Sequence, residues 1–228
     1  MSRKKLVLTA IVLVLVIAIG GILAYFTDTE TKTNRFKMGE VDILVDEPSW
    51  PGDPDDPDDK VPVVPNQDTP KDPQVKNNGE GNVYAFVKVT VPVGNVKVGD
   101  ATTASLTQLF TFRKKTSAEG VTPVTYADGV NTGWALVSGP TTPLAAGTTE
   151  VTYIYAWATD GHLTPIAKNS KTTPVFDAVR FVDATETDSS ASGSIQGSDL
   201  NVVVKGYGVQ AEGLESDVPA TVWTEIGD

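Results

Sequence analysis

The chain has 228 residues, of which 40% are apolar and 21% are charged, and this balance is typical of a folded protein rather than a disordered one. The formal net charge of −11 excludes nucleic acid as a partner, because affinity for a phosphate backbone depends on Lys and Arg contacts. The chain has no cysteine and one histidine, His162, which excludes disulfides, thiol catalysis and zinc sites built from thiolates or from two histidines.

The first 24 residues have the pattern of an export signal. Three cations at positions 3–5 precede an apolar run over residues 6–19, and two glycines then interrupt it. A basic start, an apolar run of this length and a small residue before the polar chain are typical of a secretory signal peptide. We therefore predict a hydrophobic signal-peptide helix over residues 1–24, with cleavage between Ala24 and Tyr25.

An uncleaved membrane anchor is the alternative for this segment, because residues 6–24 are just long enough to cross a bilayer. In both cases the membrane is contacted only through this segment, and the rest of the chain lies outside the cytoplasm. Removal of residues 1–24 takes three of the 18 Lys and Arg, so 15 remain against 29 Asp and Glu, a formal charge of −14. Such a surface also repels anionic lipid headgroups.

The segment after the cleavage site, residues 25–38, favours a strand. Residues 25–36 are rich in threonine, contain neither proline nor glycine and begin with Tyr25 and Phe26. Such a segment can pair with its own sheet as an ordinary edge strand, or with the open edge of a sheet in another molecule. The residues themselves leave both possibilities open.

Beyond residue 38, apolar residues recur with the period of two that is typical of strands. Every odd position in residues 83–91 is apolar, and residues 151–157 are apolar on nearly both faces, as in a central strand. Gly206 and Gly208 share one face of a further strand, where they leave room for a bulky side chain from an opposing sheet. The predicted strands are 41–45, 83–91, 109–113, 121–126, 134–137, 151–157, 175–182, 200–211 and 221–226.

These strands predict an all-β domain over residues 39–228, an antiparallel jelly-roll-like β-sandwich. An immunoglobulin-like sandwich is the main alternative, although its Cys…Trp…Cys pattern is absent. No helix longer than two turns is predicted after residue 24. Residues 48–73, which are rich in proline and acid, are predicted to form an extended exposed loop, and residues 185–193 a second, mobile loop.

The acidic, proline-rich loop contains the best candidate for a metal site. Five carboxylates lie within residues 53–59, and Ca²⁺ prefers about six to eight oxygen ligands. The spacing differs from an EF-hand, and the prolines restrict the wrapping that a calcium loop needs. We predict no metal site, with a solvated loop as the main interpretation and weak Ca²⁺ binding as the alternative. The carboxylates are those of Asp53, Asp55, Asp56, Asp58 and Asp59.

No group of residues predicts catalysis. His162 follows a turn signal and is predicted to be a surface residue, and the chain has no Gly-x-Ser-x-Gly motif of a serine hydrolase. Asp183, Glu212 and Glu215 could supply paired carboxylates for glycoside hydrolysis, but the sequence gives no sign of a cleft. We therefore predict that the chain is not an enzyme and uses no cofactor.

Three blocks of sequence resemble the TasA/camelysin family of exported proteins. In the first, at residues 20–43, Gly-Gly-Ile-Leu-Ala is followed by Tyr-Phe-Thr-Asp-Thr-Glu and then by Phe-x-x-Gly-x-Val-Asp-Ile. The other blocks are residues 71–89, which begin Lys-Asp-Pro-Gln-Val-Lys-Asn-Asn-Gly, and residues 204–213. The first block is the most specific, and residues 93–198 are not distinctive.

The resemblance implies a jelly-roll subunit of extracellular biofilm matrix fibres, released by a signal peptidase of the SipW type. In such fibres the mature N-terminal segment is a donor strand that inserts into the sheet of the next subunit. Its position here is residues 25–35, and its partners are copies of this chain or related fibre subunits. The donor residues carried over by position are Tyr25, Phe26, Thr27, Thr29, Thr31 and Thr33.

The predicted function is therefore that of a secreted structural subunit, located in the extracellular matrix or at the cell surface. A monomeric secreted or surface-attached binding module of the same fold is the alternative, and it would keep residues 25–36 paired within its own sheet. A secreted hydrolase is a third possibility. The family also contains a described metallopeptidase, camelysin, but one histidine cannot build a zinc site from two histidines.

Overall fold

A computed structural model describes residues 41–52, 60–185, 195 and 200–227 of the chain. These residues lie within one compact unit, Gly39–Asp228. The predicted signal peptide over 1–24, the donor segment over 25–38 and the aspartates of 53–59 lie outside the described residues, so those predictions stay predictions.

The described part of the chain forms thirteen strands and one short helix. The strands are β1 (Ile43–Asp46), β2 (Asp68–Pro70), β3 (Gln74–Asn77), β4 (Val83–Val98), β5 (Ser105–Gln108), β6 (Phe110–Lys115), β7 (Tyr126–Asp128), β8 (Trp134–Ser138), β9 (Glu150–Thr159), β10 (His162–Leu163), β11 (Ala178–Phe181), β12 (Ala184–Thr185) and β13 (Val203–Gln210). The helix is α1 (Pro219–Ile226).

The largest sheet is built around β4, and all of its strand pairs are antiparallel. Beside the first half of β4, β13 lies on one side and β9 on the other, and β8 pairs with the far side of β9. The second half of β4 pairs with β5 and β12. The apolar residues at odd positions of 83–91 are all buried, so the predicted alternation is confirmed.

Two further antiparallel sheets face this large sheet across the main core. One has the order β2-β11-β6-β7, and the other consists of β1 and β3. Phe112 of β6 stacks on Phe176 and meets the edge of the Tyr153 ring of β9, with ring centroids 4.6 and 5.1 Å away. The structure therefore confirms a mostly β chain with antiparallel sheets, as an all-β sandwich requires.

The opposite face of the large sheet is covered by α1. Val222 is buried, and the Trp223 ring lies 5.4 Å from that of Phe86 and 5.1 Å from that of Tyr207. The predicted strand over 221–226 is therefore wrong. Pro219 lies in the first turn, where its fixed φ favours a helix. Trp223 and Ile226 follow Val222 by one and four residues, so all three side chains lie on the helix face that packs on the sheet.

Two other predicted elements need correction. The predicted strand over 121–126 is wrong except for Tyr126, which begins β7. Pro123 has no backbone N–H for a ladder, and these residues instead belong to the turn that connects β6 to β7, closed by the Thr116 N–H donating to the Thr125 carbonyl at 2.8 Å. Residues 175–182 form a strand only over β11, although Val175 and Phe176 before it are buried.

The prediction for Gly206 and Gly208 is confirmed by the packing of β1 on β13. A Cβ atom at Gly206 would lie 2.5 Å from Val45, and one at Gly208 would lie 2.8 Å from Ile43 and 3.1 Å from Val41. Carbon atoms essentially never approach to 2.5 or 2.8 Å, so the absence of side chains at these two positions allows β1 to pack against the face of β13.

Candidate functional site

The described chain enters the sandwich through β1, directly after the predicted donor segment. β1 pairs with β3 in a regular register that runs from Ile43 opposite Asn77 to Asp46 opposite Gln74. Its apolar side chains pack on the glycines of β13, while Leu44 is 49% exposed on its other face. β1 is therefore attached to the body by a ladder on one edge and by packing on one face.

A cluster of polar side chains fixes the chain just after β1, and we call it the Lys71 clamp: Glu47, Ser49, Trp50, Lys71 and Asp72. The Lys71 ammonium lies 2.7 and 2.9 Å from the two Glu47 carboxylate oxygens and 4.8 Å from the centre of the Trp50 ring. The Ser49 N–H and hydroxyl each donate to the Asp72 carboxylate at 2.8 Å. Within this partly buried cluster, Lys71 is thus paired with the carboxylate of Glu47, and the carboxylate of Asp72 accepts from Ser49.

The clamp corrects the prediction of one exposed loop over residues 48–73. Lys71 and Asp72 are buried, at 7% and 6% exposure, and β2 pairs with β11 just before them. No local pattern of residues predicts these contacts, because the Ser49–Asp72 partners are 23 residues apart. A charged residue in a proline-rich segment is ordinarily solvated, and only tertiary structure supplied partners for these two.

A second charged network crosses the sheet that contains β2, β6 and β11. Asp68 of β2 accepts from Arg113 Nε at 3.1 Å and from Arg180 Nε and Nη2 at 2.8 and 2.5 Å. Arg113 also binds Asp128 and donates to the Tyr126 carbonyl at 3.0 Å. The network connects β2, β6, β7 and β11 by side chains as well as by ladder bonds, and both carboxylate oxygens of Asp68 accept hydrogen bonds within it.

His162 lies at the start of β10, where it meets the loop that precedes α1. Its Nδ1 atom is 2.9 Å from Asp217 Oδ1, and the Leu163 N–H donates to the Asp217 carbonyl at 2.7 Å. The hydrogen bond to Asp217 raises the pKa of His162 from 6.5, and the same bond lowers the pKa of Asp217 from 3.8. Both side chains are largely exposed, so the prediction of a surface histidine is confirmed.

The His162–Asp217 pair should stabilise the fold only within a pH window. Because the pKa of His162 is raised in the folded state, its protonated form stabilises the fold fully below pH 6.5. This stabilisation is lost as the pH rises through the raised pKa. The lowered pKa of Asp217 makes its contribution complete above pH 3.8 and lost as pH falls. We expect Asp217→Asn to lower the melting temperature slightly at pH 5.5 and not at pH 9, an effect that salt screens.

The direct test uses proton NMR of the imidazole, which gives one titration because the chain has one histidine. The His162 midpoint should lie above 6.5 and should fall towards it in Asp217→Asn. Equal midpoints in the two proteins would show that the pair does not form in solution.

Comparison with known families gives one match, and it covers the N-terminal part of the chain. Residues 3–57 match the family described as camelysin metallo-endopeptidase. The resemblance of residues 20–43 to the TasA/camelysin family is thereby confirmed, while the blocks at 71–89 and 204–213 lie beyond the camelysin match. No curated protein matches the chain. The described part of the match, residues 41–52, contains β1 and the first half of the Lys71 clamp.

The description of the camelysin family implies a catalytic metal, and the described residues do not fit one. Within 41–52, 60–185, 195 and 200–227, no three His, Asp or Glu side chains come together as a metal-binding group. The single histidine of the sequence cannot supply the paired imidazoles of a typical zinc peptidase. Glu212, one of the candidate carboxylates for glycoside hydrolysis, accepts a hydrogen bond from Asn82 at 2.9 Å.

The remaining predicted site residues are Ala24, Tyr25 and the donor positions Phe26, Thr27, Thr29, Thr31 and Thr33, and they lie outside the described part of the chain. Among the described residues, no helix has the length and hydropathy that crossing a bilayer requires.

Proposed function

We propose that this chain is an exported, non-enzymatic structural subunit with a jelly-roll sandwich, which assembles by N-terminal strand donation into an extracellular biofilm matrix fibre. The observation that carries the proposal is the position of the camelysin match, residues 3–57, because it spans the predicted signal peptide, the cleavage site and the donor segment. The antiparallel sandwich supports it, since added strands pair with the open edges of such sheets.

The physical chemistry of strand donation explains both assembly and its control. Main-chain hydrogen bonds between the donor and the acceptor sheet supply affinity, and alternate donor side chains fill pockets. The contact is head-to-tail and does not close on itself, so it builds a filament. Before a SipW-type signal peptidase acts, residues 25–35 continue into the signal segment, and the free end needed for insertion does not exist.

The Lys71 clamp and β1 suit this role. A donor held by the next subunit would pull on the chain where it enters the body, at Val41. The ladder with β3, the packing on Gly206 and Gly208 and the clamp would then transmit the load to the core. The proposed matrix location is in keeping with the acidic composition, which disfavours anionic lipid surfaces.

The test compares protein that begins at Tyr25 with a variant that lacks residues 25–35, by size-exclusion light scattering and negative-stain microscopy. We expect filaments from the first and monomers from the second, because only the first has a donor. Residues 39–228 form their own compact unit, so we expect the deletion to leave the sandwich folded, which the far-UV circular dichroism of the variant checks.

A matched pair of variants separates strand pairing from chain length. Thr29→Pro with Thr31→Pro removes two ladder donors and should abolish filaments, whereas Thr29→Val with Thr31→Val retains strand propensity and should preserve them. If the protein that begins at Tyr25 stays monomeric across pH and concentration, the fibre function is wrong and the monomeric binding module takes its place.

A further inference from the structure

The sheets of this protein differ in how well their edges are protected. The sheet of β2, β11, β6 and β7 ends in strands of three residues on both sides. On the large sheet, β8 has five residues and its register shifts between Leu136 and Ser138. Short edge strands and bulges are common devices against unwanted pairing, so these edges are poor acceptors for another strand.

The edge formed by β13 has none of these protections. All eight residues of Val203–Gln210 pair in an unbroken register with residues 83–90 of β4. Within the described ranges, β4 is the one strand that pairs with β13, so the outer edge of β13 carries no ladder there. The strand contains no proline and one charged residue, Lys205, while Val203 is 50% exposed. A regular edge of eight residues can accept an added strand of comparable length.

The path of β1 brings Val41, the first described residue, over one face of β13. Val45 packs on Gly206, and Val41 packs on Gly208. Traced backwards from Val45 to Val41, the chain therefore runs towards the C-terminal end of β13. A chain that continues in this direction leaves the sandwich, whereas pairing with β13 of the same copy requires a reversal of direction before Val41.

The length of the segment fits a neighbouring acceptor. The 16 residues from Tyr25 to Glu40 can extend about 50 Å at roughly 3.3 Å per residue. The eight residues of β13 occupy about 26 Å on the same scale, so residues 25–35 can cover that edge in another copy while residues 36–40 bridge the two bodies.

We infer that the outer edge of β13 is the acceptor for residues 25–35 of a second copy of this chain. This inference rests on the proposed function and names the edge at which it operates. The added strand extends the large sheet beyond β13, with β1 beside one face and the Tyr207–Trp223 contact beside the other. Its alternating side chains continue those two apolar surfaces, and Val203 becomes covered.

Engineered disulfides test the assignment, because the chain has no cysteine and every disulfide then reports the introduced pair. Donor variants carry Thr27→Cys, Thr29→Cys, Thr31→Cys or Thr33→Cys in protein that begins at Tyr25. Acceptor variants of a different mass carry Val203→Cys, or Leu136→Cys on β8 as the matched control, which is 58% exposed. Residues opposite each other on paired strands have Cβ atoms about 5 Å apart, close enough to oxidise with small adjustments.

We expect mixed filaments, grown under reducing conditions and then oxidised, to give covalent dimers between a donor variant and Val203→Cys but not Leu136→Cys. Which threonine crosslinks reports the register and direction of the added strand. Filaments that crosslink through Leu136, or that crosslink at neither position, would overturn the assignment while leaving the fibre function standing. A failure to form filaments at all would count against the proposed function itself.

Hydrogen exchange on filaments of the unsubstituted protein gives a second, independent reading. Backbone amides of 203–210 that face away from β4 should become protected on assembly, while those at the outer edge of β8 should not. Unchanged exchange along β13 in filaments would contradict the inference, whatever the crosslinks show. A crosslink between residues 27–33 and Val203 within one monomer of a doubly substituted chain would instead support pairing in the same copy and would overturn it.

Discussion

Gly133→Ala should lower the free energy of unfolding by about 2–6 kcal/mol, the sum of a backbone cost and a packing cost. Gly133 has φ +92°, a backbone conformation that costs a residue with a side chain about 1–3 kcal/mol. A Cβ atom there would also lie 2.4 Å from the Trp157 ring, and overpacking of this kind costs about 1–3 kcal/mol. Neither group can move easily, because Trp157 meets the Trp134 ring and the Gly133 carbonyl accepts from Ala158.

The measurement is urea unfolding followed by tryptophan fluorescence. Gly147→Ala is a matched control, since Gly147 has φ +83° but no atom within 4 Å of the position of a new Cβ. It should show the backbone strain alone, about 1 kcal/mol or somewhat more. Equal losses in the two variants would show that the contact with the Trp157 ring contributes nothing.

The strands that could be predicted from sequence are those in which the burial of one face or of both faces sets the order of apolar and polar residues. Residues 83–91 alternate because one face of β4 lies on the main core. Residues 151–157 are apolar on nearly both faces because β9 is covered on both. The close packing on one face of β13 could also be predicted, because two glycines at a spacing of two leave room for a neighbouring side chain. In each case the signal is local to one strand.

What could not be predicted depends on partners that are distant in sequence. The apolar residues of α1 fit the pattern of a short strand as well as that of a helix. The contacts of Trp223 with Phe86 and Tyr207 stabilise the helix. The Lys71 clamp joins residues about two dozen positions apart, and the Arg180–Asp68 pair joins residues 112 positions apart. Donor residues 25–35 were recognised by family resemblance, and no contact within the described chain tests them.

Both kinds of feature bear on the proposed fibre. The long strands provide an edge that another copy can extend, and the unpredicted polar contacts attach the entering chain and tie the facing sheet together. A subunit that carries load through its N-terminal segment needs an open edge for the donor of its neighbour and a firm attachment of its own donor. Without the attachment, β1 would unfold locally under load and the subunit would separate from its donor.

Asp68→Ala should lower the free energy of unfolding by about 2–4 kcal/mol, because it removes the carboxylate that two arginines share. Removal of one partner from a buried ion pair commonly costs about 3–5 kcal/mol, because the opposite charge is left uncompensated. The side chains of Asp68 and Arg113 are 16% and 9% exposed, so solvent replaces the lost bonds poorly. The lower end of the expected range reflects the contacts that Arg113 keeps with Asp128 and the Tyr126 carbonyl.

Urea unfolding again supplies the measurement, with Lys168→Ala as the control for an exposed pair. Lys168 lies 2.9 Å from Glu80, but these side chains are 46% and 55% exposed, so the loss should be no more than about 1 kcal/mol. If Asp68→Ala costs no more than Lys168→Ala, the network is not a significant source of stability. A large loss in Asp68→Ala that Arg180→Ala partly relieves in the double variant would show that an unpaired guanidinium causes it. The strands β2 and β11 would then be held together by this carboxylate as much as by their three-residue ladder.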